Sequence, residues 1–268
     1  MAQSPSTTPV SADQPRLPVV PWMLSAATER ALCEQAERLC AHLERDVEAS
    51  AEDIAFSLSA RARLAHRAVA FGENRQAAIE RLTALGEDGW AADVLMGIAG
   101  EGVTAFLFTG QGSQYGGMGS ELYRVFPVFR RTLDEICGLL DEHLRCSLRE
   151  LMFAPRESER AGKLRQTAFT QASLFALEVA LSRLLESLGV RPDYVIGHSV
   201  GELVGAHIAK VLSLEDACAL VAARGRLMGA LPEGGAMVAV QATEAEVSDC
   251  IGGLGDRVAL AAVNGPTS

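Results

Sequence analysis

Five consecutive residues, Gly197-His198-Ser199-Val200-Gly201, have the types and spacing of a nucleophilic serine. Ahead of them Asp193-Tyr194-Val195-Ile196 reads as a buried parallel strand, and behind them Leu203 to Val211 has a helical composition, which places the pentapeptide on a strand-to-helix turn. Glycines flank the serine because so sharp a turn leaves no room for Cβ atoms beside it. A serine there stands at a helix N-terminus, where free N–H groups and the helix dipole stabilise an alkoxide or an oxyanion. The chemistry this suits is attack on an acyl group with formation of an acyl-serine.

A second group lies at Thr109-Gly110-Gln111-Gly112-Ser113-Gln114-Tyr115-Gly116-Gly117-Met118-Gly119, directly after the β-rich run Val103 to Phe108. So many glycines at a strand's end mark a loop whose backbone approaches something closely. Neither a G-x-x-x-x-G-K-[ST] nor a G-x-G-x-x-G phosphate loop is present, and an oxyanion-side loop with Gln111 as donor fits a serine nucleophile better; a purely structural turn is the alternative. Acylating a serine also requires a base. Of the histidines at 42, 66, 143, 198 and 207, His198 adjoins the serine but neighbours at a tight turn project apart, so it is expected to shape the pocket. His207 falls about 12 Å along the following helix. Cys33, Cys40, Cys137, Cys146, Cys218 and Cys250 form no C-x-x-C and have no histidines at ligand spacing, so neither a metal site nor disulfides are expected.

The elements that must position these residues alternate. Pro18 to Leu24 suits an edge strand, Glu29 to Leu43 a helix capped by Ser25 or Thr28, Asp53 to Ser59 a short helix, Ala68 to Phe71 a strand and Asn74 to Leu85 a helix. Gly86 to Gly102 reads as a linker. Helices are expected over Glu121 to Leu144, Ser173 to Leu188 with Gly189 beyond its end, and Leu214 to Leu231 after Ser213. Past Pro232-Glu233-Gly234-Gly235, a strand at Ala236 to Val240, a capped helix at Thr243 to Ile251 and a strand at Val258 to Val263 suggest the start of a small inserted subdomain.

Composition narrows the function. The 268 residues are 49% hydrophobic with a formal net charge of -10, and no basic block stands out, which disfavours nucleic acid and anionic membranes as partners. No apolar run is read as a membrane span, and the Ser/Thr/Pro-rich start lacks a signal-peptide pattern, so a cytoplasmic protein with a disordered leader is expected.

Taken together, Phe106 to Gln114, Phe169-Thr170-Gln171, Gly197 to Glu202, Ala223-Arg224-Gly225-Arg226-Leu227-Met228 and Gly235-Ala236-Met237 resemble the acyltransferase domain of modular polyketide synthases and its relative, malonyl-CoA:acyl carrier protein transacylase. The segment before it resembles the linker joining ketosynthase to acyltransferase. The resemblance implies an α/β-hydrolase-like parallel-sheet core, with a leader at 1–17, the linker domain at 18–100, the large subdomain at 101–233 and an incomplete ferredoxin-like subdomain at 234–268. It implies that Ser199 is acylated, that Gln111 and the Val200 N–H form the oxyanion hole, and that Arg224 pairs with the free carboxylate of a malonyl group. Gln171 and Asn264 are implied to line the site, and His198 belongs to the same substrate-binding set. Val200 and the stretch Gln166 to Gln171 lean toward malonyl rather than methylmalonyl. No bound cofactor is implied; coenzyme A thioester and the phosphopantetheine of a carrier protein arrive as substrates, and a ketosynthase domain adjoins. The family's catalytic histidine comes from a segment after the small subdomain, so this chain is expected to lack it.

Two other readings stand beside this one. An α/β serine hydrolase needs the elbow alone, but has no use for a cation facing the serine. A scaffold with an idle site would not react with any acyl thioester.

Overall fold

The computed structural model describes residues 18–45, 48–88, 93–232 and 234–268. The chain divides into two units, Met1–Arg226 and Leu227–Ser268, and the first holds two separate hydrophobic clusters.

The first cluster is built by β1 (Val20–Ala26), α1 (Glu29–Leu43), α2 (Ala51–Ser59), β2 (His66–Gly72), α3 (Arg75–Asp88) and β3 (Val94–Ile98). The strands form an antiparallel sheet in the order β1-β2-β3, with Pro21 on an edge strand, where a missing N–H costs no ladder bond. Thr28 caps α1 by accepting from the Ala31 N–H at 3.2 Å, and α1 turns Leu32, Ala36, Cys40 and Leu43 inward. Trp22 is fully buried, with its indole N–H given to the Ala51 carbonyl at 3.0 Å. The expected linker at 86–102 is corrected here: α3 runs on to Asp88, and Val94–Ile98 is a third strand on β2. Three successive apolar residues followed by Gly97 carry no period-2 signal, so pairing with β2 and not local pattern makes this strand.

The second cluster gathers β4 (Ala105–Phe108), α4 (Ser120–Val125), α5 (Pro127–Leu144), α6 (Leu148–Met152), α7 (Glu159–Gly162), α8 (Thr167–Ser187), β5 (Tyr194–Gly197), α9 (Val200–Ile208) and α10 (Leu214–Gly229). β4 and β5 are parallel, with Ala105 opposite Tyr194 and Phe108 opposite Gly197, so the α/β class expected from the sequence holds. The single helix expected over 121–144 is two. Pro127 opens α5 at a position needing no N–H donor, and it forces Phe126 into an extended conformation that ends α4. α8 begins at Thr167, six residues before the expected Ser173, because Thr170, Gln171 and Ser173 interrupt the apolar periodicity and yet are buried. At 21 residues α8 is long and apolar enough, by length and composition, to cross a membrane, contrary to the expectation of no such run. Here it is a core helix, packed on α5 and α9.

The strand before the serine differs from expectation in burial. Phe106, Phe108 and Val195 face the core, whereas Leu107, Tyr194 and Ile196 on the other face are 71%, 63% and 59% exposed. A parallel pair is usually covered on both faces; among the described residues one face of this pair is left uncovered.

In the second unit, α11 (Glu244–Ile251) has the expected cap. The Thr243 hydroxyl accepts from the Glu246 N–H at 3.3 Å, while the Glu246 carboxylate accepts from the Thr243 N–H at 2.8 Å. The strands expected at 236–240 and 258–263 are not formed among the described residues, and Met237 and Val238 lie exposed. A helix closes its own hydrogen bonds, but a strand needs a neighbour, so of the expected ferredoxin-like start only the helix stands. The unit boundary at Arg226 falls inside α10, ahead of the expected boundary at 233.

Candidate active site at the β5–α9 turn

The turn is built by close backbone approach. A Cβ on Gly197 would collide with the Gly201 carbonyl oxygen and the Glu202 nitrogen, and one on Gly201 would sit 2.6 Å from the Phe108 carbonyl carbon. The two glycines therefore let the chain reverse and let α9 lie against the end of β4. Ser199, between them, has φ 58° and ψ −115°, a conformation that a side chain enters only under strain of about 1–3 kcal/mol. The strain projects Ser199 out of the turn at the start of α9. Substituting Gly201→Ala is expected to destabilise the protein by about 2–3 kcal/mol in urea unfolding, since the obstacle is backbone and cannot swing aside. A loss below about 0.5 kcal/mol would show that the contact is not obligatory.

Two helices face the serine. From α10, Arg224 donates Nη2 to Ser199 Oγ at 2.9 Å and Nη1 to Gln171 Oε1. Gln171 is fully buried on α8. Arg224 can reach because α10 crosses α8 at Gly225, where a Cβ would lie 2.7 Å from Ala168 Cα. The glycine after the arginine thus sets the depth at which the guanidinium sits.

On the other side, the loop after β4 runs beside the elbow. The His198 N–H donates to the Phe108 carbonyl at 3.0 Å, and a Cβ on Gly110 would be 2.8 Å from His198 Nδ1, so the imidazole lies against Gly110. The Gln111 side chain is turned to α8, giving its amide N–H to Thr167 Oγ1 at 2.9 Å, while Gln171 gives its own to the same oxygen at 3.0 Å. Among the described residues, the backbone N–H groups of Gln111 and Val200 have no protein acceptor. Gln111 and the Val200 N–H are the groups expected to form an oxyanion hole; the Gln111 side-chain amide is bonded to Thr167, which leaves the Gln111 backbone N–H as its free donor. The Val200 side chain is wholly in the core and contributes nothing to the site surface.

The structure thus brings Ser199, Arg224, Gln171, Gln111, His198 and the Val200 N–H together. Asn264 lies in the second unit, where its N–H donates to the Ser268 carbonyl at 2.8 Å, and the assembly above is drawn from the first unit alone. Thr167 was not singled out in the sequence although it ties the donor loop to Gln171; four residues before Gln171, it would share that residue's helix face in a helix begun early enough. His207 is a structural histidine: Nδ1 is 3.2 Å from the Leu212 carbonyl, Nε2 is 3.4 Å from the Arg183 guanidinium, and the ring rests near Phe175. No histidine ring is hydrogen-bonded to Ser199 Oγ among the described residues.

Comparison with known proteins shows the family. The acyl transferase domain family matches residues 105–268, and a CurL-like polyketide synthase C-terminal family matches 22–82. The spectinabilin polyketide synthase system protein NorB of Streptomyces orinoci is 51% identical over 97% of this chain, which spans 12% of that relative. The acyltransferase domain from module 8 of the salinomycin polyketide synthase superposes with a TM-score of 0.84 at 36% identity, covering 94% of this chain and 59% of that one. The acyl transferase domain of SpnD, solved with 2-(pent-4-yn-1-yl)malonyl, gives 0.78 at 36% identity over 95% and 58% of the two chains. The chain therefore spans a small fraction of its curated relatives and rather more than half of the solved domains. A family match over more than half the chain, close relatives along nearly all of it and neighbours of the same kind lead to one assignment: the chain belongs to the acyl transferase domain family, as found in polyketide synthases.

Proposed function

We propose that this chain takes a malonyl-type unit from coenzyme A onto Ser199 and passes it to the phosphopantetheine thiol of an acyl carrier protein. The observation that carries this is the Arg224 guanidinium 2.9 Å from Ser199 Oγ. A cation at the nucleophile has no task in cleaving a neutral ester, but a planar fork binds a carboxylate in two places and so presents the thioester carbonyl to the serine. Oγ attacks the carbonyl carbon, the oxygen takes up charge before the N–H groups of Gln111 and Val200, and collapse breaks the C–S bond with release of coenzyme A. The carrier thiol then attacks the acyl-serine by the same route in reverse. The leaning to malonyl rests on the resemblance; with its side chain in the core, Val200 would influence the extender only through the set of the turn. The Ser199 proton passes to a general base and on to the coenzyme A sulfur; His207, with both nitrogens engaged elsewhere, is not placed to be that base.

The test is intact-mass spectrometry of the full-length protein after exposure to equal malonyl-CoA and acetyl-CoA. A malonyl adduct mapping to the Ser199 peptide, discharged onto added carrier protein, is expected. Release of free malonate with no carrier acylation would favour the hydrolase reading, and absence of any adduct on folded protein would favour the idle scaffold.

A further inference from the structure

α8 carries a row of polar side chains at positions 167, 171 and 178, each bonded to a residue around the elbow: Thr167 to Gln111, Gln171 to Arg224, and Glu178 to Thr109. The third has no role in the account above. Glu178 Oε1 accepts from both the Thr109 N–H and the Thr109 hydroxyl, each at 2.9 Å, and that hydroxyl lies 3.4 Å from Ser113 Oγ. Its second oxygen, Oε2, is buried with no hydrogen-bond partner among the described residues. Leu174, Phe175, Ala176, Val179 and Ala180 around it on the helix are all buried. An acid in such surroundings is expensive to keep unless its bonds hold something in place. Burial pushes its carboxyl up, against the two Thr109 donors that pull it down.

What it holds is the point where β4 ends. Phe108 opposite Gly197 is the last registered pair, Thr109 follows, and Gln111 is two residues further. From there the loop contains Gly110, Gly112, Gly116 and Gly117, residues that give the backbone little torsional restraint of its own. We propose that Glu178 is a positioning residue: by clasping both donors of Thr109 it holds the start of this loop so that the Gln111 N–H stands where the thioester oxygen acquires charge. The inference rests on the acyltransferase reading for the role of Gln111. An oxyanion donor works through fixed placement, and losing one outright costs about 10²–10³-fold in rate; a donor left in place but loosely held costs less.

The experiment uses the full-length protein with Glu178→Leu, Glu178→Gln and Thr109→Val. For malonyl loading, Glu178→Leu should lower kcat about 10–100-fold while KM and the preference for malonyl over acetyl, which report on Arg224, stay within about twofold. Glu178→Gln should recover most of the rate, because its amide oxygen can accept the same two bonds. Thr109→Val, which keeps the backbone donor, should fall between. Wild-type kcat in Glu178→Leu overturns the proposal, as does a Gln variant as slow as the Leu one, or a parallel loss of kcat, KM and selectivity. If Glu178→Leu does not fold, an unimpaired kcat in Thr109→Val overturns it equally. Should the wild-type protein accept no acyl-CoA at all, the acyltransferase reading falls instead. Glu178 is then judged by the rate at which a fluorophosphonate captures Ser199, where equal rates in wild type and Glu178→Leu refute it.

Discussion

Ser199→Ala is expected to abolish acyl loading while the protein remains folded, and Ser199→Gly to abolish it while making the protein more stable. Loss of the attacking oxygen removes the covalent route, a fall of at least about 10⁴-fold measured as acyl-enzyme by mass spectrometry. The stability difference follows from the backbone. At φ 58° and ψ −115° any residue with a Cβ is strained, and alanine inherits the strain whereas glycine does not. Against the relief of about 1–3 kcal/mol stands the greater freedom of glycine in the unfolded chain, about 0.5–1 kcal/mol, which leaves a net gain of roughly 1 kcal/mol in urea unfolding for Ser199→Gly. A glycine variant less stable than the serine protein would mean that the turn is not under strain.

Arg224→Ala should affect malonyl-CoA and acetyl-CoA very differently. Charge-assisted hydrogen bonds contribute about 1.5–3 kcal/mol each, so a two-pronged grip on a malonyl carboxylate amounts to roughly 4 kcal/mol, or about 10³-fold in kcat/KM. Acetyl-CoA has no carboxylate to lose, and its transfer should change only a few-fold. Arg224→Lys should restore little, since an ammonium cannot hold the carboxylate and Gln171 Oε1 with the geometry of the guanidinium. Competition between malonyl-CoA and acetyl-CoA reads the ratio directly. An equal fall for both substrates would show that Arg224 serves the serine and not the carboxylate.

Much of this site could be read from the chain before its structure was known, and the parts that could not share a cause. The elbow is local: Gly197, Ser199 and Gly201 are adjacent, and the constraint that joins them acts within one turn, so their types announce it. Arg224 lies on another helix and was identified only through resemblance. Nothing in its neighbourhood separates it from a surface arginine except Gly225, whose meaning depends on Ala168, 57 positions earlier. Thr167 and Glu178 were missed because polar residues at 167, 170, 171 and 173 break the apolar period that signals a core helix, and burial of those groups is decided by their partners. The same dependence on partners explains the rest of the fold. Thr28 and Thr243 cap their helices as read, since caps act over three residues. β3 and the expected strands at 236–240 and 258–263 went the other way, because whether an apolar run becomes a strand is settled by what lies beside it.

The strained serine also bears on how such a domain ages. On the proposed mechanism position 199 must hold a residue that the backbone disfavours as long as transfer is selected, and the rest of the fold carries that handicap. Once selection lapses the balance is expected to reverse, because Ser199→Gly should end catalysis and lighten the fold together. Decay at this site therefore runs downhill, and a lineage that has crossed to glycine must climb to return. The melting temperatures of the serine and glycine forms, measured side by side, give the height of that step; if the serine form melts higher, there is no step to climb.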